Sequence, residues 1–156
     1  MSHPAGELET FRTIADYQFG AGAGRAVFSA DDDLAIERSR SGRPRQVHVD
    51  AGRLVTYTTD GRFTLGLEGG RRIHDALAQP TARVVVDEQS EPYVAAGRNA
   101  FAKFVEAVDP AVRPRDEVAV IHDGRLLAVG RAELSATAMA DFETGVAVSV
   151  RSGVED

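Results

Sequence analysis

The chain has 156 residues, enough for one domain or two small ones. Its 43% hydrophobic and 27% charged residues exclude a disordered or fibrous class. The absence of cysteine excludes disulfides, thiolate catalysis and cysteine-ligated zinc or iron–sulfur sites, and a net charge of −6 argues at first sight against a nucleic-acid partner.

Glu7 to Phe19 sets Leu8, Phe11, Ile14, Ala15 and Phe19 at helical spacing, and Gly20 ends the pattern where a C-cap belongs. Gly20, Gly22 and Gly24 read as a linker. They follow a helix, whereas a dinucleotide-binding loop follows a strand and opens a helix. An acidic turn, Asp31-Asp32-Asp33, comes next. Gly42-Arg43, Gly52-Arg53 and Gly61-Arg62 then punctuate three alternating runs, Arg45 to Val49, Leu54 to Thr59 and Phe63 to Leu67. This rhythm predicts a three-stranded β-meander, with Asp60-Gly61 as a two-residue hairpin turn. A short helix over Arg71 to Ala78 follows, and Pro80 closes it. Residues 1–79 thus form a small α+β domain, with Gln79-Pro80-Thr81 as its boundary.

Residues 80–156 form the second domain. Ala82 to Asp87 is a short valine-rich strand, and Ser90-Glu91-Pro92 starts a one-turn helix that Gly97 terminates. Ala100 to Asp109 reads as one strand, and Glu117 to His122 pairs through Asp123-Gly124 with Leu126 to Glu133. A helical turn over Ser135 to Phe142 leads to a closing strand, Val146 to Arg151. Many short strands with regular turns suggest a small barrel, so the fold class is α+β overall.

Four segments in order carry a resemblance: Gly97 to Val105, Arg113-Pro114-Arg115-Asp116-Glu117-Val118, Leu127 to Ala132 and Gly145 to Arg151. Residues 81–153 resemble the PUA domain, a small pseudo-barrel found on RNA-modifying enzymes and on free-standing RNA-binding proteins. Ile14-Ala15-Asp16-Tyr17-Gln18-Phe19-Gly20 and the arginine-rich meander resemble the domain that precedes PUA in archaeal archaeosine tRNA-guanine transglycosylases. The resemblance does not extend to the catalytic barrel of those enzymes, with its nucleophilic aspartate and cysteine-rich zinc site. It therefore implies the tRNA-binding part without the chemistry.

In PUA domains the short helix, the glycine loop after it and the next strand face RNA, so the resemblance implies that role for Gly97, Arg98, Asn99, Phe101 and Lys103. Arg151 matches a position beside that loop. Physically, a glycine lets a phosphate approach the backbone, Arg98 can clamp it bidentately, and Asn99 can read a base edge. Lys103 is the only lysine among 18 basic residues, which suits a site needing a compact charge. The plainer alternatives are a turn glycine, a core phenylalanine and solvated cations. Arg38, Arg40, Arg43 and Arg45 form the densest basic stretch, with Arg53 and Arg62 at neighbouring turns. Arg43, Arg45 and Arg53 are candidates for a second RNA patch, the alternative being a solvated loop balanced by Asp31 to Asp33.

Charge supports local rather than global attraction: residues 1–80 carry ten basic and eleven acidic residues, residues 81–156 eight and thirteen. The four histidines lack metal-ligand spacing, Asp16 and Tyr17 have no paired base, and no metal or cofactor is expected. No window matches a membrane span and the polar start lacks a signal core, so a cytoplasmic protein without a membrane partner is expected. The expected function is non-catalytic binding of folded RNA as an accessory to its modification, with the acceptor stem and 3′ end of tRNA favoured and DNA excluded. Ribosomal RNA as the target, or a scaffold role for a separate archaeosine-type modification enzyme, are the alternatives.

Overall fold

In the computed structural model, which describes residues 5–156, the chain divides after Leu77 into two units. In the first unit, helix α1 (Ala5–Phe19) buries Phe11, Ala15 and Phe19 as its spacing predicts. Gly20 ends it at φ +114°, the left-handed C-cap conformation. The glycine stretch is not a linker. It contains helix α2 (Ala23–Val27), whose Gly24 packs so closely on α1 that a Cβ would lie 2.4 Å from the Arg12 carbonyl oxygen.

Four strands follow, β1 (Ala35–Arg38), β2 (Pro44–Val49), β3 (Gly52–Tyr57) and β4 (Phe63–Leu65), in one antiparallel sheet of that order. β1 went unpredicted because its four residues carry a single partly buried apolar side chain, Ile36. The Asp60-Gly61 turn is longer than predicted, since Thr58 N–H donates to Arg62 O across a five-residue loop and only Gly61 has positive φ. Helix α3 (Leu67–Ala76) begins four residues before the predicted start. The core joins Phe11, Phe28, Tyr57 and Phe63 with ring centroids 5.4 to 6.4 Å apart, in the range of favourable tilted and edge contacts. Gln18 completes the edge strand: its side chain accepts from Phe63 N–H and donates to Phe63 O, both at 2.8 Å.

The second unit is a six-stranded, nearly closed pseudo-barrel. Its elements are β5 (Arg83–Val86), α4 (Glu91–Ala95), β6 (Ala100–Phe101), β7 (Val105–Val108), β8 (Glu117–His122), β9 (Arg125–Ala132), α5 (Ala136–Asp141) and β10 (Val146–Gly153). The predicted continuous strand from Ala100 to Asp109 is broken by a 3-10 turn, Ala102–Phe104. That corner lets β6 pair with β10 while β7 pairs with β5, so one run of chain serves both edges of the sheet. The β8–β9 hairpin matches expectation, with Asp123 and Gly124 both at positive φ. Valines 84, 86, 118, 120 and 148, with Leu127 and Met139, fill the interior. Ser135 caps α5 by accepting from Ala138 N–H, whereas Ser90 makes no side-chain cap at α4.

Candidate nucleic-acid interface

α4 is one turn long, and its Val94 and Ala95 are fully buried against the barrel, so the opposite face of the helix looks outward. Tyr93 on that face is 58% exposed, and Phe101 on β6 is 44% exposed. Large aromatic side chains left in water at this level are informative, since the apolar area they carry is ordinarily buried. Together with Arg98, Asn99, Phe104 and Glu88 they line a groove of about 550 Å³. Arg98 is exposed, and Lys103 Nζ stands 5.0 Å from the centroid of the Phe104 ring, within cation–π range. The groove therefore offers exposed rings to stack on, a guanidinium fork and one carboxylate, with the Lys103 ammonium on the adjoining 3-10 turn.

The structure brings Gly97, Arg98, Asn99, Phe101 and Lys103 to this one region, but it changes what some of them do. Gly97 adopts φ +99°, and its N–H donates to Val94 O at 2.9 Å. A Cβ at Gly97 would lie 3.0 Å from the Asp156 carboxylate, and one on Gly153 would lie 2.6 Å from Gly97 N. Arg98 N–H is also committed, to Tyr93 O. The loop thus has no spare backbone donor at these positions, and the expectation that Gly97 admits a phosphate to the backbone gives way to a steric role. The cationic groups left exposed here are the side chains of Arg98 and Lys103. Asn99 Oδ1 accepts from Val150 N–H at 2.9 Å, tying the loop to β10 and leaving one lone pair and the amide nitrogen for a base edge.

Arg151 lies next to this tie, yet its guanidinium points elsewhere. Nη1 and Nη2 each donate to one carboxylate oxygen of Glu117 at 2.8 Å, and the Glu117 side chain is only 4% exposed. This geometry makes Arg151 a partner for a buried acid rather than an open cation.

Arg43, Arg45 and Arg53 do not share one surface. Arg43 donates to the carbonyls of Tyr57 and Thr58 and sits 4.7 Å above the Tyr57 ring. Arg53 donates to Thr56 and pairs in register with His48, towards the far end of the strands from Arg45. Tyr93, Phe104 and Glu88 were missed in the sequence because a tyrosine after Pro92 gives no periodicity in so short a helix, and Phe104 sits in the unforeseen corner. Among the described residues no group of three or more His, Asp or Glu side chains is placed to hold a metal, and no helix is long and apolar enough to cross a membrane.

Comparison with known proteins decides the family. Residues 9–80 match the patch-forming domain C2 of tRNA-guanine transglycosylase, and residues 82–154 match the PUA domain. The chain is a C2 domain followed by a PUA domain. It is 46% identical over 145 residues to the tRNA-guanine(15) transglycosylase of Pyrococcus furiosus, and 42% identical over 150 residues to that of Methanothermobacter thermautotrophicus. These alignments cover 92% and 94% of this chain but only 24% and 23% of the relatives, in their C-terminal region. Among solved structures, a hypothetical protein of Pyrococcus horikoshii has the same fold, with TM-score 0.76 at 21% identity over 99% of this chain and 93% of its own. A PUA domain protein of Thermoplasma acidophilum matches with TM-score 0.66 at 18% identity, over 97% and 90%. The groove thus belongs to the PUA domain, and the arginine-rich turns belong to the C2 domain.

Proposed function

We propose that this chain is a non-catalytic RNA-binding protein that recognises the acceptor stem and 3′ end of tRNA as an accessory to tRNA modification. The observation that carries the reading is the groove in which exposed Tyr93 and Phe101 stand beside Arg98, with Lys103 exposed on the adjoining 3-10 turn. Single-stranded RNA ends are bound by stacking splayed bases on aromatic side chains while cations hold the flanking phosphates. A PUA domain and 46% identity to a tRNA-guanine(15) transglycosylase support RNA, and tRNA in particular, as the ligand. The non-catalytic assignment is supported by the matched stretch being C2 and PUA, and by the lack of any cysteine for a zinc site of the kind expected with the catalytic barrel.

Fluorescence anisotropy with intact tRNA, tRNA trimmed of its single-stranded 3′ end, and ribosomal RNA fragments tests this. The expected result is tightest binding to intact tRNA, with loss on trimming and on Arg98→Ala/Lys103→Ala. No affinity for any of these RNAs, even at low salt, refutes RNA binding. Equal affinity for trimmed and intact tRNA refutes recognition of the 3′ end.

A further inference from the structure

The two turns at one end of the C2 sheet are built alike. In Ser39-Arg40-Ser41-Gly42-Arg43, Ser39 N–H donates to Arg43 O at 2.8 Å and Gly42 N–H to Ser39 O at 2.9 Å. In Thr58-Thr59-Asp60-Gly61-Arg62, Thr58 N–H donates to Arg62 O at 2.8 Å and Gly61 N–H to Thr58 O at 3.1 Å. Gly42 and Gly61 have φ +89° and +83°, and neither has an atom within 4 Å of where a Cβ would stand. Both tips are therefore open to solvent on that side. The strand order β1-β2-β3-β4 puts the two turns at the same end, roughly 10 Å apart at two strand spacings.

Arg43 joins them. Its guanidinium reaches from the first turn to the Tyr57 and Thr58 carbonyls at the base of the second, and lies over the Tyr57 ring. This cross-link holds the tips in fixed relation, and around it Arg40, Arg45 and Arg62 are exposed. The neighbouring acids are mostly consumed inside the structure. Glu7 takes both outer nitrogens of Arg38, and Asp60 accepts from the Thr58 hydroxyl and from Arg62 N–H within its own turn. The Thr58 hydroxyl bond, with the backbone and charge of Arg62, holds the Asp60 carboxyl below its ordinary range. Glu37 on β1 and Glu9 on α1 are exposed acids. The same end also carries an aromatic. Tyr17 is 95% exposed and precedes Gln18, which is bonded to Phe63, the residue after Arg62.

We propose that this paired-turn end of the C2 domain is a second RNA-binding site, in which Arg40, Arg45 and Arg62 contact the phosphodiester backbone of a stem and Arg43 fixes their spacing. It differs from the patch expected from the sequence, because Arg43 is a positioning residue here and Arg53 is excluded. An acidic protein segment is the competing ligand. The rigid tips, the glycine openings and the exposed tyrosine suit a regularly charged backbone carrying sugars and bases. The proposal rests on RNA being the ligand, and its test is chosen to separate failure of either site.

The experiment measures affinity of the full chain against salt concentration, with a fully paired RNA hairpin, a single-stranded oligouridine and polyglutamate as probes. Arg40→Ala/Arg45→Ala/Arg62→Ala should weaken hairpin binding on the order of a hundredfold at 0.1 M salt and lower the salt slope by roughly 2 to 3, about 0.7 to 0.9 per lost phosphate. The corresponding triple lysine variant should recover most of the slope. Oligouridine binding should be unchanged in the triple alanine variant and lost in Arg98→Ala/Lys103→Ala. Hairpin slope unchanged in a triple variant with native near-ultraviolet circular dichroism overturns the second site while leaving the groove untouched. Loss of polyglutamate binding without loss of hairpin binding also overturns it, in favour of an acidic protein partner. Oligouridine binding that survives Arg98→Ala/Lys103→Ala refutes the groove alone.

Discussion

Replacing Arg151 by alanine separates two roles that the sequence could not tell apart. Glu117 has a side chain 4% exposed and receives two hydrogen bonds of 2.8 Å from Arg151, which is itself 31% exposed. A surface ion pair contributes about 0 to 1 kcal/mol, and removing one partner of a fully buried pair costs about 3 to 5 kcal/mol. With one member buried and the other a third exposed, the expected loss for Arg151→Ala is about 2 kcal/mol. Urea unfolding followed by circular dichroism gives the loss as a shift in midpoint at constant slope. Glu117→Gln/Arg151→Met removes both charges and should recover part of the loss, since the buried carboxylate is gone. RNA affinity measured on the folded Arg151→Ala variant should fall no more than about threefold, a change on the order of 0.7 kcal/mol. A variant with an unmoved urea midpoint and a tenfold or greater loss of RNA affinity would show that Arg151 acts as an RNA contact and that the pair with Glu117 adds nothing to the fold.

Gln18→Ala should cost about 2 kcal/mol in the same assay, because two hydrogen bonds to edge strand β4 are lost. Gln18→Glu should cost more, since a carboxylate cannot donate to Phe63 O, and equal stability of the two variants would refute the pairing. Tyr93→Ala and Phe101→Ala should each weaken single-stranded RNA binding by about 1 to 3 kcal/mol with little change in salt slope, as expected of stacking; a changed slope would contradict that role. His122 donates Nδ1 to Val86 O, and this bond, with the charges of Glu91, Asp123 and Glu106, raises its pKa above the ordinary 6.5. A raised folded-state value means the stabilisation is fully present below pH 6.5 and is lost as pH rises through the folded pKa. The gap in urea midpoint between the parent protein and His122→Ala should therefore narrow from pH 5.5 to pH 9, and a constant gap would sink the argument.

Much of the second domain was legible because its elements advertise themselves locally. Asp123-Gly124 demands positive φ, Val84 and Val86 are apolar and buried in a valine-rich run, and Ser135 sits where an N-cap belongs. The 3-10 corner at Ala102–Phe104 was not legible, because the break exists to satisfy pairing with partners 19 to 48 residues away in sequence, β5 on one side and β10 on the other. No local preference announces it. Strand β1 was hidden for a related reason: Ala35 and Glu37 face solvent, and the strand is held by pairing with β2 instead of by an apolar stripe. Of the residues that line the groove, Arg98, Asn99 and Phe101 were singled out through the resemblance, while Tyr93 required the structure to show which side of α4 is buried. Arg151 was placed beside the right loop, but its commitment to Glu117 depends on two strands that neither residue's neighbours in sequence reveal.

The distribution of arginine explains how an acidic chain can still present cationic sites. Arg38, Arg43, Arg72, Arg125, Arg131 and Arg151 each spend their forks on carboxylates or carbonyls of the fold. A planar guanidinium with five donors is suited to such internal cross-links, and where the partner is a carboxylate the two charges largely cancel in the field seen at a distance. What stays outward includes Arg98 and Lys103 beside the groove and Arg40, Arg45 and Arg62 at the paired turns, with Arg25, Arg113 and Arg115 elsewhere, in a chain of net charge −6. Such a surface repels polyanions at long range and holds them only where the geometry fits. For the RNA binding proposed above, the expected outcome is weak binding to heterogeneous polyanions and a salt dependence set by a few local contacts rather than by the net charge.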